Sequence, residues 1–392
     1  MRLEVSMSDI QALRDQATAH RKERKYEDAR VIFQQLWEET NDKWDGWGLA
    51  LCCNQVKDYE TAHEIAQSVI EIDPDFQYIK QQLTRAVLQK IKDYDRKGMW
   101  DEILQISDDL EVDELSTDEN SYSRNGKNIT IPADRKTWYQ KKTKALEKLR
   151  RWDECLELTN TALNDFPNEL WLKRRKAICT GKTGDINKAI EDLKRISIEK
   201  TDWFIFRDIA VLYGENQDYE KSLEYIIEAC LVSVNLPDPG YRWELYYDAA
   251  VYLEKKGEKD MAIKHLEMAF SVREKEGWKI PQSLFELADD LNTELIYNPD
   301  QKAILNELKK YWNEEKFSNQ EILTGTIKTI LPNGKAGFIS STDGKDYYFR
   351  LMNYNGDKKN LKVGIKVKFN IQDSFDKVKK KQSKQAVNVS EN

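Results

Sequence analysis

Asn333 to Leu351 reads NGKAGFISSTDGKDYYFRL. Gly334, Gly337 and Gly344 punctuate two runs rich in apolar and aromatic residues. Between those runs, Ser341, Thr342, Asp343, Gly344 and Lys345 have the turn chemistry that joins antiparallel strands, so the stretch predicts a hairpin. Upstream, GTIKTILP (325–332) is a β-branched run that ends in a Pro-Asn-Gly turn. Downstream, VGIKVKFNI (363–371) alternates, which places Val363, Ile365, Val367, Phe369 and Ile371 on one face. A last run, QAVNV (385–389), gives five strands in about 70 residues, which suits a small closed barrel better than a sheet with open edges.

In this order and nearly without gaps, residues 325–389 resemble the cold-shock domain, an OB-type barrel. GTIK stands where that family opens with GTVK, KAGFI for its KGFGFI strand and DYYFRL for its DVFVHF strand, followed by VGIKVKF and QAVNV. The resemblance implies a domain that binds single strands by stacking bases on aromatics of one sheet face. Two of those aromatics are replaced here, by Thr329 and Ala336, while Phe338 and Tyr348 fall where the family keeps them and Arg350 stands in place of a histidine. Strand alternation puts Tyr348 and Arg350 on the face opposite Tyr347 and Phe349. The expected nucleic-acid platform is therefore Phe338, Tyr348 and Arg350, flanked by Lys328 and Lys335. The alternative is that the two aromatics only fill a barrel wall and the domain binds protein.

At 392 residues the chain is long enough for two or three units, and 40% hydrophobic residues suffice for folded cores. No apolar run reaches transmembrane length, and MRLEVSMSDI lacks the apolar stretch of a signal peptide, so a cytoplasmic location is expected. Five cysteines (Cys52, Cys53, Cys155, Cys179, Cys230) have no CxxC spacing and read as buried free thiols. His20, His63 and His265 lie in three different helices, which leaves little material for a zinc site or a histidine-based catalyst; no metal and no cofactor are expected. From Ile322 onward, 13 lysines and one arginine face six acids, a net charge of +8, which leaves −15 for the preceding 321 residues out of −7 for the whole. A basic domain on an acidic carrier is the footprint of local phosphate binding.

From Ile10 to Leu291 the pattern is paired helices. Ala29 and Ala62 are 33 residues apart; Cys155, Ala189 and Leu223 follow one another at 34. That period, with WGLALCC and KDYETAHEIAQSVIEIDPD (47–75), LRRWDECLELTNTALNDFP (149–167) and LYGENQDYEKSLEYIIEA (212–229), resembles the tetratricopeptide repeat. Such a solenoid implies a protein partner or peptide in its groove. The gap between Ala62 and Cys155 predicts one degenerate pair over 76–107, turning at Gly98, plus a polar, acidic insertion read as a solvated loop. Lys141, Lys144 and Lys148 share a helix face, and Arg174 lies in the basic run Lys173 to Lys176 of the first helix of the next pair; these form a possible second basic patch, or only a solvated face. Leu236 to Gly240 reads as a loop. Pro281 to Leu291 and Gln301 to Phe317 read as closing helices, the second sealing the stack through Ile304, Leu308, Tyr311 and Trp312.

Thr180, Gly181, Lys182 and Thr183 lack the preceding glycine and strand of a phosphate loop, and no other catalytic fingerprint occurs, so an enzyme is not expected. The fold class expected is mostly α: a tetratricopeptide-type α-solenoid followed by a small five-stranded all-β OB/cold-shock-like barrel. The expected organisation is helical repeats over 1–107, the acidic insertion over 108–135, a second group of repeats with closing helices over 136–321, and the barrel over 322–392. The function expected is a non-enzymatic adaptor that binds a protein partner on the solenoid and single-stranded RNA or DNA on the barrel. The alternative is a pure protein-interaction scaffold.

Overall fold

A computed structural model describes residues 7–124, 126–234, 236, 242–318, 320–356, 361–376 and 381–392. The N-terminal residues 1–6 and most of the loop expected at Leu236 to Gly240 lie outside the described residues. The chain divides into two compact units, 1–192 and 193–392.

In the first unit, helices follow one another as pairs of the tetratricopeptide type: α1 (Met7–Lys22) with α2 (Tyr26–Thr40), α3 (Lys43–Val56) with α4 (Tyr59–Ile72), α5 (Gln77–Lys97) with α6 (Trp100–Ser107), and α7 (Asp134–Lys148) with α8 (Trp152–Asp165). Then come α9 (Leu170–Lys182) and α10 (Ile186–Glu199), which spans the division. Local chemistry sets the ends. Asp42 and Asp58 accept from the amides of Trp44 and Thr61 as N-caps, and Gly98 stops α5 in the left-handed conformation at φ 72°. The small residues of the repeat sit where helices meet: Ala29, Ala62, Cys155 and Ala189 are wholly buried. Space is equally short along α3, where a Cβ at Gly46 or Gly48 would come within 2.4 Å of Val69 or 2.5 Å of Phe33. From α1 to α9 each helix packs on the next, and α3 touches α5, α5 touches α7 and α7 touches α9, so these first helices of successive pairs form one continuous row.

The insertion is not the irregular loop expected. Residues 112–114 form a 3₁₀ turn, and β1 (Asn120–Arg124) pairs with β2 (Lys127–Ile131) in an antiparallel hairpin turning at Gly126, φ 73°. Leu110 and Leu115 are buried in the core of the unit. Four of the seven acids that suggested solvation are held by bases of the helices: Asp109 to His63 at 2.7 Å, Asp108 to Lys142 at 2.5 Å, Glu114 to Lys80 at 2.7 Å and Glu119 to Lys136 at 3.1 Å. The Arg135 guanidinium donates to the carbonyls of Asp113 and Leu115.

The second unit continues with α11 (Trp203–Glu215), α12 (Tyr219–Ser233), α13 (Trp243–Lys256), α14 (Lys259–Lys275), α15 (Gln282–Asp290) and α16 (Gln301–Phe317). The apolar stripe of α16 closes this core: Ile304, Leu308 and Trp312 are buried against α12 to α14, with Tyr311 packed at the margin. Trp312 lies parallel to Tyr246 at 6.3 Å and donates its indole N–H to His265 Nε2 at 2.8 Å. His265 Nδ1 lies 2.7 Å from the Met261 carbonyl, which only accepts, so Nδ1 carries the proton and the ring is neutral. Burial holds its pKa down at about 4. All five cysteines are buried and unbridged.

The barrel follows: β3 (Leu323–Ile330), β4 (Ala336–Ser341), β5 (Asp346–Arg350), β6 (Lys366–Asp376) and β7 (Lys381–Glu391). They close in the order β3-β4-β5-β7-β6, and every pairing is antiparallel except β5 with β7. Ile327, Ile339, Tyr347, Phe349, Val367, Phe369, Ala386 and Val389 fill the interior. Gly337 is required by a close approach, since a Cβ there would lie 2.3 Å from the Thr329 carbonyl and 2.7 Å from the Phe349 ring. The alternation expected from Val363 begins two residues later. The chain turns through Gly364 at φ 94°, β6 starts at Lys366, and Val363 is left 58% exposed. On the wall, the Asn355 amide donates to Asn388 and the Asn388 amide to Asn370, whose own amide reaches the carbonyls of Gln320 and Glu321.

Candidate nucleic-acid interface

The register of β4 on β5 places Phe338 directly opposite Tyr348, and Ala336 opposite Arg350. Because side chains alternate, Gly337, Ile339, Tyr347 and Phe349 point inward while Phe338, Tyr348 and Arg350 point outward. Phe338 and Tyr348 meet edge to face, with centroids 5.7 Å apart at 69°. Phe338 remains 36% exposed and Arg350 is exposed at the end of β5. Thr329 of β3 is the other neighbour of Phe338. The pair thus offers one continuous aromatic surface two strands wide, with a guanidinium one register step away.

The two flanking lysines differ. Lys335 sits in the turn before β4, where its amide donates to Asn333 and its carbonyl accepts from Leu351; its side chain is exposed beside Ala336 and Arg350. Lys328 occupies a bulge of β3, and its ammonium lies 2.5 Å from Asp346. Hydrogen bonding from Lys328 holds the Asp346 carboxyl below its usual range. One expected phosphate contact is therefore already engaged within the barrel. Sequence reading did not single out Asp346, or Lys366 and Lys368. These two lysines are exposed on β6, opposite Thr326 and Thr324 of β3, and widen the basic rim. Their signal was available: in VGIKVKF they are the outward positions between the apolar ones.

The second basic patch is assembled in the first unit. Lys141, Lys144, Lys148, Trp171, Arg174 and Arg175 line a cleft of about 380 Å³ between α7 and α9. Lys141 and Lys144 both reach Asp95 of α5 at 2.5 Å. Burial pushes that carboxyl up, but the hydrogen bonds from Lys141 and Lys144 outweigh it and leave it below the ordinary carboxylate range. Arg175 is buried, 2.6 Å from Glu147 and 2.9 Å from the Thr143 hydroxyl. Glu147 behaves like Asp95, with burial opposing and the charges of Arg175 and Arg174 prevailing. Lys148 is exposed, and the Arg174 guanidinium sits 5.7 Å from the centre of the Trp171 ring. Among the described residues, no group of three or more His, Cys, Asp or Glu side chains could hold a metal ion, and no helix is long and apolar enough to cross a membrane.

No protein-family profile and no curated protein matches this chain. Solved structures do. YrrB, described as a TPR protein with an unusual peptide-binding site, is similar at 15% identity over 52% of this chain and 93% of its own, with a TM-score of 0.37. A tetratricopeptide repeat protein from Parabacteroides merdae is similar at 11% identity over 72% and 99%, TM-score 0.39. A kinesin light chain protein of Podosopora anserina, with nearly identical TPR-like repeats, is similar at 13% identity over 49% and 95%, TM-score 0.37.

Proposed function

We propose that the chain is a non-enzymatic cytoplasmic adaptor whose helical repeats hold a protein partner and whose barrel holds single-stranded RNA or DNA. The observation that carries the nucleic-acid half is the outward Phe338–Tyr348 pair with Arg350 beside it, on a domain of net charge +8. Every base has a π-face, so a two-strand aromatic surface accepts a single strand without reading its sequence, while exposed cations follow the phosphates. The strand order adds support. β6 returns to lie beside β3, which gives the 4-1-2-3 arrangement of a Greek key, and the aromatic pair lies on the second and third strands, the face that OB-type barrels use for oligonucleotides. The row of first helices supports the partner-binding half, because each pair adds side chains to one extended surface.

A second reading, a scaffold whose barrel binds only protein, is favoured by one group of observations: Thr329 and Ala336 in place of ring-bearing residues, and Lys328 neutralised by Asp346. Titrating full-length protein into a labelled twelve-nucleotide oligo(U) or oligo(dT) at 50 mM salt separates the two. Binding in the micromolar range that weakens steeply with salt supports the first reading. No binding at several hundred micromolar leaves the second.

A further inference from the structure

The face of α16 turned away from the helical core is polar. Ile304, Leu308 and Trp312 bury one stripe, whereas Asn306, Lys310 and Asn313, spaced as the opposite helical face, line a cleft of about 930 Å³ against the barrel. The barrel wall of that cleft carries Asn355, Lys368 and Asn388. Asn370, buried behind them, fixes this wall: it accepts from the Asn388 amide and gives its own amide to the Gln320 and Glu321 carbonyls, so the chain between α16 and β3 is tied down before any ligand arrives. Asn388 stands at the bulge of the β6–β7 pairing with φ 51°, a conformation asparagine tolerates, and accepts from Asn355. Hydrogen-bonding capacity is left over on both walls. An asparagine amide has two N–H donors and an oxygen with two lone pairs; Asn355 and Asn388 each commit one N–H or one lone pair at a time, Asn313 gives an N–H to the Lys309 carbonyl and keeps its oxygen, and Asn306 is exposed. The cations are equally open. Lys368 forms no ion pair among the described residues, and Lys310 has only a long one, 3.9 Å to Glu314; the other carboxylate of the lining, Glu391, is taken by the Tyr354 hydroxyl at 2.6 Å.

We infer that this cleft takes a second stretch of the strand held on the platform, with Lys310 and Lys368 on its phosphates and the asparagine amides on its ribose 2′-hydroxyls. This rests on the nucleic-acid reading of the barrel and makes the ligand RNA rather than DNA. A 2′-hydroxyl both donates and accepts, which an amide answers with its two ends, and Asn and Lys are among the side chains that hold sugar and phosphate. Position connects the two sites. Lys368 faces Thr324 and Phe338 faces Thr329 on the two edges of β3, so strand spacing and rise put the cleft on the order of 20 Å from the platform, with Lys366 on the way. A single strand covers that in about six nucleotides even at the duplex rise of about 3.4 Å each. An extended peptide offers a similar donor and acceptor pattern. Ile322, however, is the one exposed apolar side chain among the described lining residues, which leaves a peptide little to anchor on.

Fluorescence anisotropy of the full chain with labelled twelve-nucleotide oligo(U) and oligo(dU), which differ only in the 2′-hydroxyl, tests it. The parent is expected to bind oligo(U) at least fivefold tighter. Asn306→Ala/Asn355→Ala, one change on each wall, should bring that ratio below about twofold by weakening oligo(U), while Tyr348→Ala weakens both strands alike because stacking ignores the sugar. If the double variant melts lower than the parent, Asn306→Ala alone, on the exposed helix face, should still lower the ratio. A fivefold ratio that survives these variants overturns the inference, because the sugar is then read elsewhere. Equal affinities for the two strands in the parent also overturn it, and the platform stands if Tyr348→Ala still weakens both. A labelled twelve-residue Ser/Thr peptide that binds the parent in the micromolar range and not the double variant makes the cleft a peptide groove and overturns it as well. No binding of either strand at several hundred micromolar sinks the inference together with the nucleic-acid reading.

Discussion

Acidification from pH 7 to pH 4 should loosen the second unit's helical core through one residue, His265. The imidazole is wholly buried between α14 and α16, its Nδ1–H committed to the Met261 carbonyl and its Nε2 lone pair to the Trp312 indole. Glu258 is the charge that favours the protonated ring, and Tyr311 packs edge-on at 5.9 Å with its hydroxyl given to Glu258. Protonation would put a charge in the core and turn an acceptor into a donor facing the Trp312 N–H. The folded pKa is depressed to about 4 from 6.5. Between those values the unfolded chain binds the extra proton, so stability falls as pH drops below about 6.5 and stops falling from this source below about 4. Two and a half pH units at about 1.4 kcal/mol each give roughly 3 kcal/mol. Hydrogen exchange of amides in α14 and α16, measured at pH 7, 6, 5 and 4 and corrected for intrinsic rates, reads the loss locally. His265→Leu should start less stable at pH 7, by about 1–3 kcal/mol for the orphaned Trp312 N–H. It should then lose less on acidification than the parent. Parallel pH profiles for parent and His265→Leu would refute the assignment, because the slope would then belong to carboxylates elsewhere.

Tyr348→Ala should cost about 1–3 kcal/mol of single-strand affinity and leave the salt dependence nearly unchanged, read by titration at 50, 100 and 200 mM salt with a thermal melt to confirm folding. Lys335→Ala should instead lower the slope of log K against log salt by roughly one phosphate contact. Asp346→Ala should free the Lys328 ammonium and steepen that slope, with tighter binding at low salt. Gly337→Ala should destabilise the barrel by about 1–3 kcal/mol, because its methyl group meets the Thr329 carbonyl and the Phe349 ring; an unchanged melting temperature would contradict the close approach.

The helical repeat was legible because small residues recur where two helices cross tightly: Ala29, Ala62, Cys155 and Ala189 carry the period, which the larger Leu223 continues. The barrel was legible for the complementary reason, since alternation is enforced where one face is filled, as at Val367 and Phe369. The hairpin over 120–131 was not. Tyr122 and Ile131 are exposed, neither strand has a buried face to impose a period, and the acids before it looked solvated until Lys80, Lys136, Lys142 and His63 were in place. Alternation and hairpin pairing made the placement of Phe338 opposite Tyr348, with Arg350 on the same face, legible, but not the charges around them. Asp95 lies 46 and 49 residues from the lysines it holds, and Asp346 meets Lys328 across a bulge, so both pairings are products of tertiary structure.

Photo-crosslinking of the full chain to a 4-thiouridine-containing single strand, with mass spectrometric mapping of the modified peptides, tests the central claim most directly. The account predicts crosslinks on the β4–β5 hairpin, at Phe338 and Tyr348, that disappear in 300 mM salt and fall markedly in Tyr348→Ala at a concentration that half-saturates the parent. Crosslinks confined to other surfaces, or none at saturating strand, would contradict it.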